Sequence, residues 1–331
     1  MLPRFAVVLS LFSIPAFAAV SVTSPINGAQ VTSPITVVAK AATCSSQPTA
    51  AMGYSLDYGP TTIMQASAIS ALALAGNGLH VLHVKCWGVH GSADVVDAPI
   101  TVVSPSSVPE NVTVASNLQL SPGWTGNHDP GGGGTSTGTT ALVSSPSLSG
   151  QARQFTMSLS NYGGEIFHTP FGTDTAATHF IYDAEVMLAD PSNVANVEMD
   201  LNQVMVNGQT VIFGVQCDGW SGTWDYTLNT GTQTNPVDTW EHSNVPCPSP
   251  STWTANVWHR VQIAYDRDSS GNVTYRSVVF DGAESDFIGA TGSSSFALGW
   301  AATLLTNFQI DGIAASASVT AYLDNVTVFR W

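Results

Sequence analysis

Positive charge is scarce in this 331-residue chain. Lys40 and Lys85 are its only lysines, and 8 basic side chains stand against 23 acidic ones, for a net charge of −15. A field of that sign repels phosphate backbones, so nucleic acid is excluded as a partner. Charge of either sign is sparse, at 9% of residues; Ser, Thr, Asn and Gly supply the polar surface instead. Such a surface suits an extracellular protein or one that meets uncharged glycans. Long apolar runs are missing as well. Phe5 to Phe17, interrupted by Ser10, Ser13 and Pro15, is shorter than the roughly 20 residues a membrane span needs. No nucleotide-binding loop and no zinc-hydrolase motif is present, and no amphipathic run is of convincing helix length.

The N-terminus has a different signature. Arg4 precedes the short apolar stretch, and Ala16-Phe17-Ala18 places small residues at a cleavage signal. This predicts a secretory signal peptide over residues 1–18 and a secreted or cell-surface protein. Four cysteines behind such a segment point to disulfides. Of the three pairings, chain order favours Cys44–Cys86 and Cys217–Cys247, each within one domain. The spacings are too long for a zinc site.

Residues 20–103 contain short β-branched or alternating segments, among them Ile35 to Lys40, Met52 to Tyr58, Leu79 to Cys86 and Ala98 to Val103. Asn, Gly and Pro separate them, which predicts a small β-sandwich. Ser24-Pro25-Ile26-Asn27-Gly28-Ala29, Tyr54-Ser55-Leu56-Asp57 and Gly78 to Val84 resemble the immunoglobulin-like modules of bacterial extracellular proteins. That resemblance speaks for fold and is silent on function. Residues 104–112, with two prolines, read as a short connector.

From residue 113 to 331, strand-length segments recur without a helix, which predicts two packed antiparallel sheets. Gly131 to Thr140 reads as a flexible loop. Val257 to Asp266, with its Trp258-His259 start and Tyr265-Asp266 end, and the segments Asn307 to Gly312 and Thr320 to Val328, resemble the concanavalin A-like jelly-roll superfamily of lectins, laminin-G-like modules, glucanases and lyases. The fold expected is therefore all-β: a small immunoglobulin-like sandwich followed by a larger concanavalin A-like jelly roll.

Within the larger domain, Val197-Glu198-Met199-Asp200-Leu201-Asn202-Gln203 puts Glu198, Asp200 and Asn202 on one face of a strand. That face is either a solvated convex surface or the floor of a cleft. Glu198-x-Asp200 is similar to the start of the E-x-D-x-x-E motif of retaining jelly-roll glucanases. The resemblance implies Glu198 as nucleophile and Asp200 as its assistant, but Gln203 stands where the acid/base glutamate belongs, so the motif is incomplete. Asp183 and Glu185 are candidates for the missing carboxyl. For a lyase, a base and a carboxylate-neutralising group are required; Arg260 and Gln262, sharing a face, are candidates, though the acidic strand disfavours an anionic polymer.

Aromatic residues cluster between the second cysteine pair. Gln216, Asp218, Trp220, Trp224, Trp240 and Glu241 form a candidate rim for sugar rings, stapled by Cys217–Cys247. Packing beneath the loop is the competing role for these rings. Glu165 to Asp174, carrying His168, reads as a second rim loop. Related jelly rolls tie their terminal strands with calcium, which makes Asp129 and Asp324 the candidates for a structural calcium; no cofactor is otherwise required. The expectation is a protein that binds a neutral polysaccharide. The alternatives are a glycan-cleaving enzyme built on Glu198, and a structural or adhesion protein. Oligomeric state is not encoded in any of these features.

Overall fold

The computed structural model describes residues 20–103, 108–109 and 112–331. The expected signal peptide and most of the expected connector lie outside the described residues. The chain divides into two compact units, one comprising residues 20–30 with Pro34–Val102, the other Val31–Ser33 with Val103–Trp331. Both are built from antiparallel strands. No helix among the described residues is long and apolar enough to cross a membrane.

In the first unit, Ser21–Ser24, Ile35–Lys40 and Ala68–Ala73 make one sheet. The other runs in the order Gln30–Val31, Ala93–Val102, Gly78–Gly88, Gln47–Leu56 and Thr43–Cys44, with Thr62–Met64 also paired to Gln47–Leu56. Alternation drives the packing: Ile35, Val37 and Ala39 point inward from one strand, and Leu82, Val84 and Cys86 from another. Cys44 and Cys86, on strands of the larger sheet either side of Gln47–Leu56, form a buried disulfide.

The second unit is a sandwich of two sheets. The front sheet runs Thr125–His128, Gly164–Gly172, Thr303–Gly312, Val194–Val204, Thr210–Asp218, Trp224–Asn229 and Asp238–Glu241. The back sheet runs Thr135–Val143, Ala152–Ser160, Ala317–Arg330, His179–Leu188, Trp258–Arg267, Asn272–Phe280 and Ala283–Asp286. Val197, Met199 and Leu201 of the front meet Phe180, Tyr182 and Ile263 of the back in one apolar core. Phe155, Phe167 and Phe308 pack at 4.7–5.0 Å between ring centres inside it.

Two segments expected to be loops are strands. Thr135–Val143 pairs along its whole length with Ala152–Ser160. It lies at the edge of its sheet, where threonine's β-branched chain suits the pleat and a polar outer face is tolerated. Gly164–Gly172 lies inside the front sheet between two partners. Its core contact is Phe167, with His168 turned the other way, so the residues expected at a rim belong to the sheet itself.

Candidate functional site

Because the front strands alternate, every residue that does not enter the core points outward, and here most of those residues are polar. The Val194–Val204 strand keeps an unbroken register with Thr210–Asp218 from Asn196 to Val204. Glu198, Asp200 and Asn202 therefore share the outward face, as expected. Gln203, by the same regularity, points to the core side. It is fully buried, donates to the carbonyls of Asp174 and Ala177 and accepts from the Arg267 guanidinium. With no bulge to turn it round, position 203 cannot join Glu198 in an E-x-D-x-x-E arrangement.

Neighbouring strands extend this polar strip. Glu198 lies opposite Gln309 on one side and Gln216 on the other, and Asp200 lies opposite Asn307 and Gly214. A hydrogen-bonded net fixes one end: Asn196 Nδ2 donates to Gln216 Oε1 and Asp311 Oδ2, both at 3.2 Å, and Gln309 Nε2 donates to Asp311 Oδ1 at 2.9 Å and Asp129 Oδ2 at 3.1 Å. Close approach demands glycine at Gly164, where a Cβ would stand 2.2 Å from Asp311 Oδ1. Further across, Asp225 and Thr227 continue the strip, and the Thr227 hydroxyl donates to Asp238 on the edge strand. Trp240, opposite Thr227, faces the same way.

These carboxylates share a field with little positive charge to balance it; His242, beside Asp225, has its pKa raised by that carboxylate. The seven front strands contain not one lysine or arginine. Burial pushes the Glu198 carboxyl well above the usual carboxylate range, and the adjacent Asp200 carboxylate adds to the shift by charge and by accepting its proton. Asp200 is raised by burial too, opposed by the Glu198 and Asn307 side chains. Both carboxyls are thus pushed toward the protonated form. Asp200 Oδ1 and Asn202 Oδ1 are buried without a hydrogen-bond partner. Asp311 is raised to about 6, first by burial.

A pH dependence of stability follows. A carboxyl whose folded-state pKa is raised stabilises fully below its unfolded value of about 4.3, and that contribution is lost as pH rises through the folded value. Glu198, Asp311 and Glu185, the last raised to about 7 by burial and then by the Asp183 charge, all act in this direction. The melting temperature is expected to fall between pH 5 and pH 8. Glu198→Gln, an uncharged isostere, should melt higher than the wild type at pH 8 and alike near pH 4.5. Calorimetry at the two pH values checks this; a variant that gains nothing at pH 8 contradicts the buried, protonated Glu198.

At the Asp311 end the strip meets an aromatic pair. Trp220 and Tyr162, both exposed, lie 6.1 Å apart between ring centres. The Trp220 amide donates to Asp218 Oδ1 at 2.7 Å, and Gly219 N donates to Asn196 Oδ1, so the turn bearing the indole is anchored to the polar face. The Cys217–Cys247 disulfide forms beside it. Asp218, Asp225 and His242 bring one ligand atom each to within 4.8 Å of one another, and these three could hold a metal ion. His242 Nδ1 lies 2.8 Å from Asp225 Oδ2.

Several expected site residues lie elsewhere. Trp224 is a core residue, buried against Phe280 at 5.9 Å, because its position in the strand alternates with outward Asp225. Glu241 falls on the opposite side of its strand from Trp240, facing Tyr226. Asp183, Glu185, Arg260 and Gln262 belong to the outward face of the back sheet, with the ~10 Å core between them and Glu198. There Arg260 grips Asp183 through Nε and Nη2, at 3.1 and 2.5 Å, and Gln262 Nε2 donates to the same carboxylate at 2.8 Å. Asp183 and Glu185 therefore cannot supply a second carboxyl to Glu198.

Asp129 and Asp324 are likewise apart. Asp129 lies in the front-sheet net, whereas Asp324, on the back sheet, accepts from Gln119, from the hydroxyls of Ser147 and Ser149 and from the amides of Leu148, Ser149 and Asn325. A carboxylate so fully used as a loop clamp does not fit a shared calcium site. His168 does reach the front face, where Nε2 meets Thr125 Oγ1 at 3.1 Å and burial lowers its pKa.

Sequence reasoning passed over Asn196, Asn307, Gln309, Asp311, Asp225 and Asp238. The signal was present: Thr303 to Gly312 and Trp224 to Asn229 carry the same apolar–polar alternation as the Glu198 strand. Tyr162, at φ 66° in a turn, left no such trace. Gly134-Thr-Ser-Thr-Gly138 also has the spacing of a nucleophile elbow. Ser136, however, lies inside a strand, where its Oγ bridges to Glu165 Oε2 at 2.6 Å and His128 Nδ1 at 2.9 Å, with no strand-to-helix turn.

No family model and no curated protein matches this chain. Solved structures do resemble it. One is a study of carbohydrate-binding modules from the β-sandwich superfamily, 11% identical over 94% of this chain and 98% of that one, with a TM-score of 0.36. Another is a family 11 carbohydrate-binding module from Clostridium thermocellum in complex with a β-1,3-1,4-mixed-linked tetrasaccharide, 12% identical over 67% and 96%, at 0.31. A third is the Emp47p carbohydrate recognition domain, 11% identical over 68% and 99%, at 0.36. At these scores the likeness carries no argument about function.

Proposed function

We propose that the chain is a secreted glycan-binding protein whose front face holds a neutral polysaccharide. The observation that carries this reading is the polar strip ending in the Tyr162–Trp220 pair. Pyranose rings present apolar C–H faces that stack on indole and phenol rings, while their hydroxyls exchange hydrogen bonds with fixed amides and carboxylates. Asn196, Gln216, Gln309 and Asn307 are held by neighbours or by the sheet, so little side-chain entropy is lost on binding. A uronate chain would meet several carboxylates and no lysine or arginine of the front strands, which selects against acidic polymers. Two disulfides fit an oxidising, extracellular setting.

Cleavage is the competing reading, since a protonated buried Glu198 has the character of a general acid. Retaining and inverting glycosidases keep their carboxyls roughly 5 and 6.5–9.5 Å apart, with the scissile bond between. Glu198 and Asp200 instead lie two residues apart on the same face of one strand, so they do not stand on opposite sides of a bond. Glu198→Gln is expected to bind a soluble glycan within about twofold of the wild type, and neither protein should release reducing ends on long incubation. Reducing-end release that disappears in the variant overturns the binding reading in favour of hydrolysis.

A further inference from the structure

The first unit presents a second aromatic site. On the outward face of its larger sheet, a cavity of about 630 Å³ is lined by Tyr58, Trp87, Lys85, His83, Asp94 and Asp97 among others. Tyr58 is fully exposed, an unusual setting for so large a ring, and the backbone that carries it is fixed in a turn. Asp57 adopts a left-handed φ of 50°, Gly59 N donates to the Leu56 carbonyl at 2.9 Å, and Asp57 accepts from Val81 N at 2.8 Å while meeting His80 Nδ1 at 2.7 Å. Backbone held in a sparsely populated region by surrounding contacts is characteristic of sites that must present a side chain.

The cavity floor is equally fixed. Trp87 lies over Gly53, where a Cβ would stand 3.1 Å from its ring. Lys85 Nζ donates to Thr61 Oγ1 at 2.7 Å and Ser55 Oγ at 3.3 Å, and among the described residues no carboxylate lies within ion-pair distance of it. His83 Nδ1 lies 2.6 Å from Asp97 Oδ1. With Asp57, Asp94 and Asp97 around a single ammonium, the site is not built for an anion.

We infer that this cavity is a second carbohydrate site, taking a neutral pyranose unit that stacks on Tyr58 and Trp87 and accepts a hydrogen bond from Lys85. The two rings supply the apolar platform, the remaining Lys85 N–H meets a ring hydroxyl oxygen, and Asp97, opposite His83 on the same face, accepts from another hydroxyl. The first unit is then a binding module in its own right, and its occupancy does not depend on the front face of the second unit.

Isothermal titration of the full chain with cellohexaose, xylohexaose, mannohexaose and a galacturonate hexamer tests this. With a neutral hexasaccharide that binds, the wild type should fit two sites. Tyr58→Ala, at an exposed turn position, and Lys85→Gln should each weaken one site by ~10-fold or more and spare the other. Trp220→Ala should do the reverse. The inference is overturned if Tyr58→Ala and Lys85→Gln titrate as the wild type, if neither unit binds any neutral hexasaccharide, or if only the galacturonate hexamer responds to them. Loss of the Trp220→Ala effect with the Tyr58→Ala effect intact overturns the front-face reading and leaves this one standing.

Discussion

Trp220→Ala is expected to weaken front-face binding of a soluble neutral oligosaccharide by roughly 10- to 30-fold, a loss of about 1.5–2 kcal/mol. The ring is 60% exposed, so its removal should alter folding stability by no more than about 0.5 kcal/mol. That separation makes the variant informative: melting temperature unchanged, affinity down. Tyr162 lies in ring contact with Trp220, so the double variant should fall short of the sum of the two singles. Titration calorimetry with matched thermal melts checks all three statements. Unchanged affinity in both single variants would remove the aromatic end from the binding surface.

Arg260→Ala should behave in the opposite sense, destabilising the fold while leaving sugar binding intact. Its guanidinium is nine-tenths buried and bidentate to a buried Asp183. Deleting it strands a carboxylate that has lost its charge partner and keeps the Gln262 amide. Breaking such a pair costs about 3–5 kcal/mol, or a fall of ~10 °C in a unit of this size. Removing both charges with apolar residues, as in Asp183→Leu with Arg260→Met, should recover most of that loss. If Arg260→Ala instead lowered affinity without lowering the melting temperature, the back-sheet cluster would have to be reconsidered as a ligand site.

These two residues also show what the sequence could and could not reveal. The all-β architecture was legible because alternation over five to ten residues is a local property, and the two cysteine pairs were legible because each closes within one domain. The faces of individual strands were legible for the same reason: Glu198, Asp200 and Asn202 do share a side. What alternation cannot supply is which sheet a strand joins. Asp183 and Arg260 carry the right chemistry in the right period, yet their strands pair with one another in the back sheet, and pairing is decided by contacts far apart in sequence.

Tryptophan gave a similar lesson. Trp220 and Trp224 lie four residues apart in one span, but the first lies in a turn pinned by Asp218 and the second begins a strand with its ring toward Phe280. Nothing in composition separates them. The phase of the strand does, and it can be read only once the outward position of Asp225 is known. The Asp129–Asp324 pairing failed on the same ground, since it was carried over from a resemblance rather than from neighbours in space.

The most direct test is a crystal structure of the protein with a neutral hexasaccharide. A sugar chain lying along the front strands, with one ring against Trp220 and hydroxyls on Gln216, Gln309 and the Glu198–Asp200 pair, is the predicted result. A ligand bound only on the back sheet, or a front face left empty at saturating sugar, would contradict the account.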